Sequence, residues 1–431
     1  MHIKQALLHN TVWKIFAMLF SFVSNIIIVR LLGAETSAHF FYALAMFSLL
    51  STFLRFGLEN GIVFYASKHP DRTGRLIVFI FFVTVIQVIL SCAVIRYIIP
   101  HPSPFSLFWM IAFVVSNSLI WYATAFYQVK RMYISINLSA AVAAFLQMAM
   151  LCFFYFSKTN FFLREGLAGN INNALLIVLS SGLILQLLFL GIWYFRSNKN
   201  NISLRLPDSS IITNIFRYSA VNFAATVLMF LIMRADFYFV ERYCSTVVLA
   251  NYVQVAKIGQ MALVFPGLLG GVIFPFTVNA DESFSEKVSF FCRVLTLIFM
   301  ILLVIFLAAG PFIFTPLLGP DFYLMFRGLA ATGVGIYCLA INLILTSYFE
   351  GKNSQKIILL SNIAALVIIL AGDALFVPSF GYIAAAVIFS TANFAGMIIL
   401  LLYFMKKASV PVKDIFLLKN SDSFIFRFWK K

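Results

Sequence analysis

From Thr11 to Met405 the chain is a succession of apolar stretches, each about as long as a membrane helix, separated by short polar gaps. A hydrocarbon core about 30 Å thick requires about 20 apolar residues of helix to cross it. The pattern predicts helices near residues 11–33, 39–63, 76–99, 105–127, 134–156, 173–195, 213–239, 247–274, 289–315, 323–349, 356–377 and 381–405. Segments such as Leu76 to Ile99 and Val294 to Ala309 are apolar on every face, whereas a barrel strand alternates in polarity over about 10 residues. The expected fold is therefore all-α: a polytopic membrane protein of about 12 transmembrane helices. The first apolar segment carries Lys14 and Arg30 at its two ends and is followed by no convincing small-residue cleavage site, so it is read as a retained helix.

Composition narrows the class further. Hydrophobic residues make up 62% of the chain and charged residues 11%, with a mean hydropathy of +0.99, against about 25% charged in soluble domains. The loops are too short to fold into a soluble domain, which excludes most soluble enzymes. The five cysteines (Cys92, Cys152, Cys244, Cys292, Cys338) are scattered, mostly within apolar segments, and lack the paired spacing of a zinc site or redox disulfide; they read as inert core residues.

The formal net charge of +16 invites a nucleic-acid reading, which the positions of the charges exclude. With a cytoplasmic N-terminus, that side collects basic residues including Lys68, Arg72, Arg75, Lys130, Arg131, Arg196 and Lys199, together with seven in the tail after Met405. The opposite loops hold only Lys158, Arg164 and Arg242. This asymmetry is what topology requires of a multi-pass membrane protein, and it predicts both termini in the cytoplasm.

The longest connection, Arg196 to Ile212, falls near the middle of the chain and is polar. It divides the chain into an N-terminal six-helix bundle (1–200), a cytoplasmic linker (201–212), a C-terminal six-helix bundle (213–405) and a basic tail (406–431). Arg30 to Phe40 (RLLGAETSAHF) aligns weakly over Arg242 to Tyr252 (RYCSTVVLANY). An even number of helices per half makes the repeats parallel, and two facing bundles enclose a central cavity. Helices two and eight carry Phe56-Gly57-Leu58-Glu59-Asn60-Gly61 and Pro266-Gly267-Leu268-Leu269-Gly270-Gly271 with Pro275. Proline removes a backbone donor and glycine weakens the helix, so these runs mark either interruptions in moving, substrate-facing helices or close packing by small residues.

Charges inside the spans carry the functional evidence. A charge at the centre of a membrane helix costs roughly 2.5–3.5 kcal/mol on insertion scales, so such residues face a wet cavity or a partner. Arg30, Arg55, Arg96, Arg234, Lys257 and Arg327, with Glu59, Asp236 and Asp373, lie at membrane depth or its edge. Arg55 and Glu59 are four apart and either neutralise one another or serve a site. Arg234 and Asp236 are two apart and splay to different faces. Lys257 shares a face with Gln254 and Met261 about ten residues inside its helix, too deep for easy snorkelling. Arg30, Arg96 and Arg327 lie near helix ends, where snorkelling is easy. Asp373 has no basic neighbour in sequence. Asn25, Asn117, Gln147, Asn222 and Asn342 add polarity within the spans, some of it for bonds between helices.

Buried arginine and lysine in excess of acid suit an anionic substrate, since guanidinium forks match phosphate geometry. No Walker A loop, His-rich metal spacing, nucleophile elbow or large extramembrane loop with paired acids is present, so no catalytic residue, cofactor or metal is expected.

Arg30-Leu31-Leu32-Gly33-Ala34-Glu35 and Phe56-Gly57-Leu58, then Arg234-Ala235-Asp236, Ala250-Asn251-Tyr252 and Phe274-Pro275, resemble the corresponding stretches of Wzx-type polysaccharide flippases of the MOP (multidrug, oligosaccharidyl-lipid, polysaccharide) exporter superfamily. The family often has glycine where Ala38 and Ala250 stand and proline where Ala34 stands. The resemblance implies a MATE/MOP-like pair of bundles in a bacterial inner membrane. It implies translocation of undecaprenyl-diphosphate-linked oligosaccharide repeat units, such as those of O-antigen, by alternating access. Arg55, Arg234 and Lys257, with Arg30, become substrate-binding candidates, and Glu59, Asp236 and Asp373 ion-coupling candidates. The partners implied are the lipid-linked oligosaccharide, membrane lipids, and the polymerase and chain-length regulator of the same pathway. Three other readings remain: a multidrug exporter of the same superfamily, which needs an acidic or aromatic cavity; a membrane-embedded polymerase or glycosyltransferase, which normally carries a large catalytic loop; and a non-transporting lipid-binding scaffold.

Overall fold

The computed structural model describes residues 3–68, 73–98, 105–130, 132–156, 171–197, 208–278, 284–352, 354–417 and 419. Most of the predicted linker, 201–207, and the tail beyond 419 lie outside the described residues. The helices are α1 (Ile3–Arg55), α2 (Leu58–Lys68), α3 (Thr73–Ile98), α4 (Leu107–Val129), α5 (Tyr133–Phe156), α6 (Ile171–Ser197) and α7 (Ser209–Ile232). They are followed by α8 (Ala235–Tyr243), α9 (Thr246–Ala262), α10 (Val264–Val278), α11 (Phe284–Leu318), α12 (Met325–Gly351), α13 (Gln355–Ala408) and the short α14 (Val412–Phe416).

Two of these helices are each a folded pair. Gly33 inside α1 has φ 72 and ψ 178, and Gly381 inside α13 has φ 66 and ψ −156, conformations that a residue without a Cβ adopts at little cost. Pro378, three residues before Gly381, has no backbone N–H to donate and weakens the helix on the approach to the second break. Ten helical runs among the described residues are long and apolar enough to cross a membrane, and dividing the runs of 44 and 54 residues at these glycines gives twelve spans. The fold is an all-α polytopic membrane protein.

By contacts the chain forms two compact units, 1–227 and 228–431, which divide inside α7. In the first, α1 runs along α5, α6 packs on α4 and α5, and α2 and α3 lean on α4. Their shared core joins Leu58 and Ile62 of α2, Phe79 of α3, Tyr122 and Phe126 of α4 and Ile215 of α7. In the second, α12 is central, flanked by α9, α10, α11 and α13, while α8 packs on α13. The outward faces of α3 (Phe81, Phe82, Ile86, Ile89) and α11 (Met300, Ile301, Val304, Ile305) are exposed and apolar, as faces turned to acyl chains should be.

Three of the predicted spans are interrupted, two of them at the runs in which glycine and proline left an interruption open. Helix two breaks at Phe56 and Gly57, both with positive φ (51 and 64). Its counterpart in the second half breaks at Leu263, three residues before Pro266, while Pro275 stays inside α10. The predicted helix 213–239 breaks at Met233–Arg234, where no glycine or proline announces it; turn bonds from Arg234 N to Leu231 O (3.1 Å) and from Phe237 N to Arg234 O (3.1 Å) carry the chain across. At the first break the glycines also serve close packing. A Cβ on Gly57 would stand 2.8 Å from Ser219 O and one on Gly61 2.3 Å from Ser219 Oγ, so α2 approaches α7 along a glycine edge.

Gly57→Ala should therefore destabilise more than Gly33→Ala. Both place a side chain at positive φ, costing on the order of 1–3 kcal/mol, but only Gly57 also meets backbone atoms, since nothing lies within 4 Å of a Cβ at Gly33. Thermal unfolding of the detergent-solubilised variants checks the order of the two midpoints.

Candidate substrate and coupling sites

Among the described residues each unit gathers buried charged side chains at a helix break. In the first unit, Arg55 ends α1 and Glu59 lies in the first turn of α2. The side chains are 5% and 8% exposed, and Arg55 Nη1 donates to Glu59 Oε1 at 3.2 Å while Nη2 donates to Thr52 Oγ1 at 3.2 Å. The guanidinium carbon lies 4.6 Å from the centroid of the Trp121 ring. The break leaves carbonyls without helical donors, and neighbouring helices supply them: Gln87 Nε2 donates to Leu54 O (2.8 Å) and to Tyr122 Oη (2.6 Å), and Tyr122 Oη donates to Arg55 O (3.4 Å). Arg55 and Glu59 are thus a closed ion pair buttressed by α3 and α4.

The second unit is arranged differently. Arg234 caps α8 and donates to Gln260 Oε1 at 3.0 Å, with its guanidinium 5.0 Å from the centre of the Phe237 ring. Asp236 points elsewhere, as two-residue spacing requires, and its Oδ2 accepts the Tyr252 hydroxyl at 2.5 Å. Among the described residues Arg234 therefore has neutral partners, and its charge is not spent on a carboxylate within ion-pair distance. Lys257, half-buried on α9, lies within electrostatic reach of Arg234. Asp373 of α13 is wholly buried, lies within electrostatic reach of Asp236 and Tyr252, and has no hydrogen-bond donor to either oxygen among the described residues. Asp236, Tyr252, Gly259, Gln260 and Thr332 are among the residues that line a small, mostly apolar pocket.

The remaining candidates stand apart from these clusters. Arg30 is exposed just before the Gly33 break, and Arg96 and Arg327 are exposed near helix ends, where a long side chain reaches the interface. Tyr252, Gln260, Gln87 and Tyr122 complete the two clusters and were not singled out from the sequence as site residues. Ordinary core positions carry the same residue types, and only the third dimension distinguishes them. Gln260 follows Lys257 by three residues, a spacing that offered a usable signal.

A family model described as polysaccharide biosynthesis protein matches residues 3–280 and 277–428. The chain belongs to the polysaccharide biosynthesis protein family. Its fold is shared with solved transporters. One, an inward-facing multidrug resistance MATE family transporter of the MOP superfamily, is 11% identical over 94% of this chain and 98% of its own, with a TM-score of 0.70. The lipid II flippase MurJ in an inward closed conformation is 14% identical over 94% and 88%, with a TM-score of 0.67. A MOP superfamily transporter from Pyrococcus furiosus, described as having a binding pocket of reversed polarity, is 14% identical over 94% and 96%, with a TM-score of 0.57. No curated protein matches the chain by sequence. For a member of the polysaccharide biosynthesis family with this fold, the twelve spans establish a multi-pass membrane protein.

Glu59→Gln should lower stability by about 3–5 kcal/mol, because it strands the buried Arg55 charge. Arg55→Met combined with Glu59→Gln should recover much of that loss. A double-mutant cycle on unfolding in mixed micelles measures the coupling, and additive losses would show that the pair is not an energetic unit.

Proposed function

We propose that this protein moves undecaprenyl-diphosphate-linked oligosaccharide repeat units from the cytoplasmic to the outer face of a bacterial inner membrane, by alternating access of its two units. Membership of the polysaccharide biosynthesis family and the fold shared with a lipid II flippase support the substrate class. The observation that carries the reading is Arg234, a cation at membrane depth held by an amide and an aromatic ring rather than by a carboxylate. A guanidinium left in that state is ready for a diphosphate, and the pairing is strong where water is scarce. Lys257 adds a second cation nearby, and Arg30 is a peripheral one. Arg55 serves the substrate only when its pair with Glu59 opens, so its cost of recruitment is higher.

The same cluster provides for coupling. Asp373 and Asp236 lie within electrostatic reach of one another, with three oxygens lacking donors among the described residues, an arrangement that a cation would complete. Glu59, already held by Arg55, is the weaker coupling candidate. The excess of basic residues on one side of the membrane supports cytoplasmic termini. O-antigen or a related surface polysaccharide is the destination of the repeat unit, with the polymerase and chain-length regulator as downstream partners.

Deleting the gene should make the lipid-linked repeat unit accumulate on the cytoplasmic face; loss of the lipid-linked unit itself would point to an earlier enzyme and overturn the reading. In the complemented strain, Arg234→Gln should cut polymer output at least tenfold at normal protein level, while Arg96→Gln, an exposed arginine near a helix end, should leave it unchanged. Asp373→Asn should preserve substrate binding but uncouple translocation in proteoliposomes from an imposed proton or sodium gradient. A gradient response equal to that of the unaltered protein removes Asp373 from the coupling site.

A further inference from the structure

The polar face of α4 is not explained by either charged cluster. Asn117, Trp121, Thr124 and Gln128 follow one another at spacings of four, three and four residues, which places them on a single stripe of the helix. Trp121 is 47% exposed, Gln128 is exposed, and Asn117 and Thr124 are half-buried. Among the described residues none of the side chains of Asn117, Thr124 and Gln128 is hydrogen-bonded. The exposed faces of α3 and α11, by contrast, are built from Phe, Ile, Leu, Val and Met. Gln128 stands two residues before Lys130 at the end of α4, but Asn117 and Thr124 lie inside the span, and turning their amide and hydroxyl to acyl chains would leave them unsatisfied at a cost of several kcal/mol on apolar-solvent scales. This face of α4 is therefore wet. Trp121 is also no interfacial anchor: it lies eight residues before the end of α4, about 12 Å along the axis, whereas anchoring tryptophans sit at headgroup level.

Arg55 orders the indole. Its guanidinium lies over the Trp121 ring and is itself fixed by Glu59 and Thr52, so the ring is held as a rigid platform with the rest of its surface open. An aromatic plate flanked along one line by amides and a hydroxyl suits a pyranose, whose C–H face is apolar and whose rim carries hydroxyls that donate and accept. The stripe runs about 16 Å, room for a short run of sugar rings.

We propose that the Asn117–Trp121–Thr124–Gln128 stripe of α4 is a glycan-reading subsite, with a sugar ring stacked on Trp121 and its hydroxyls bonded to Asn117, Thr124 and Gln128. The assignment rests on the lipid-linked oligosaccharide reading and adds where the sugar is recognised. The α4 stripe selects the carbohydrate, which differs between such lipids.

The test uses the full chain in lipid nanodiscs and two probes. One is the undecaprenyl-diphosphate oligosaccharide extracted from the deletion strain, and the other is bare undecaprenyl diphosphate. Asn117→Ala combined with Gln128→Ala, which touches neither Arg55 nor Glu59, should weaken binding of the glycosylated probe about tenfold or more, at about three- to tenfold per lost hydrogen bond. Binding of the bare probe should stay unchanged. Trp121→Ala should weaken the glycosylated probe by at least as much, and Trp121→Phe should restore most of it. If the variants hold the glycosylated probe as tightly as the unaltered protein, or lose both probes equally, the subsite is overturned and the flippase reading stands. If the unaltered protein binds neither probe, the flippase reading falls and the subsite with it.

Discussion

A break in a membrane helix strands backbone polar groups in a medium that cannot solvate them, and both charged clusters of this protein sit at such breaks. Hydrocarbon offers no replacement donors, so each interruption survives only where other helices complete its hydrogen bonds. At Phe56–Gly57 the completion is direct: Gln87 and Tyr122 reach the carbonyls of Leu54 and Arg55. At Met233–Arg234 the chain crosses with its own turn bonds, and the first turn of α8 carries Asp236, whose charge suits the free N–H groups there. The breaks are thus the points where polar side chains have a structural reason to enter the bilayer, and the functional candidates are recruited from among them.

The two clusters differ in what they leave unsatisfied. Arg55 and Glu59 neutralise each other, although Arg55 Nε and Glu59 Oε2 have no hydrogen-bond partner among the described residues, and burying such a pair contributes little net stability while making the loss of either member costly. In the second unit the partners are crossed: the arginine takes an amide, the aspartate takes a phenol, and Asp373 is left without a donor. The second unit thus holds, in place of a close ion pair, a cation and two carboxyl groups, which on the proposed function would link an anionic cargo to a cationic driving force.

Much of this was legible in the chain. Twelve spans, the paired Arg55 and Glu59, the divergence of Arg234 from Asp236 and the exposure of Arg96 and Arg327 follow from periodicity and spacing, because local geometry alone decides them. The break at Gly57 was marked by its glycine. The break at Arg234 was not, since neither Met233 nor Arg234 is a helix breaker and tertiary packing overrides propensity there. Nor did the sequence separate Tyr252 and Gln260 from core residues of the same type. Their role depends on which helix faces them, and α8, α9 and α13 meet across more than a hundred residues of chain. The excess of inner arginine and lysine read from the sequence is also less plain in three dimensions, where acids accompany the cations; the argument for an anion rests on how Arg234 is partnered rather than on a count of charges.

A lipid-linked sugar presents three chemistries in one molecule: a polyprenyl chain, a diphosphate and a glycan. No single pocket satisfies all three, because a surface that solvates sugar hydroxyls rejects acyl chains, and a cation strong enough to hold a diphosphate is costly in hydrocarbon. On the proposed function this chain keeps them on separate surfaces, with apolar faces on α3 and α11, a guanidinium held by an amide and an aromatic ring at the α8 junction, and amides around an aromatic plate on α4. On the proposed function, that separation would let the lipid tail remain in the bilayer while only the polar head is carried. On the same reading the charged and aromatic-amide surfaces call for different residues: the first would release its cargo on the far side by losing a few strong bonds, whereas the second would discriminate by many weak ones.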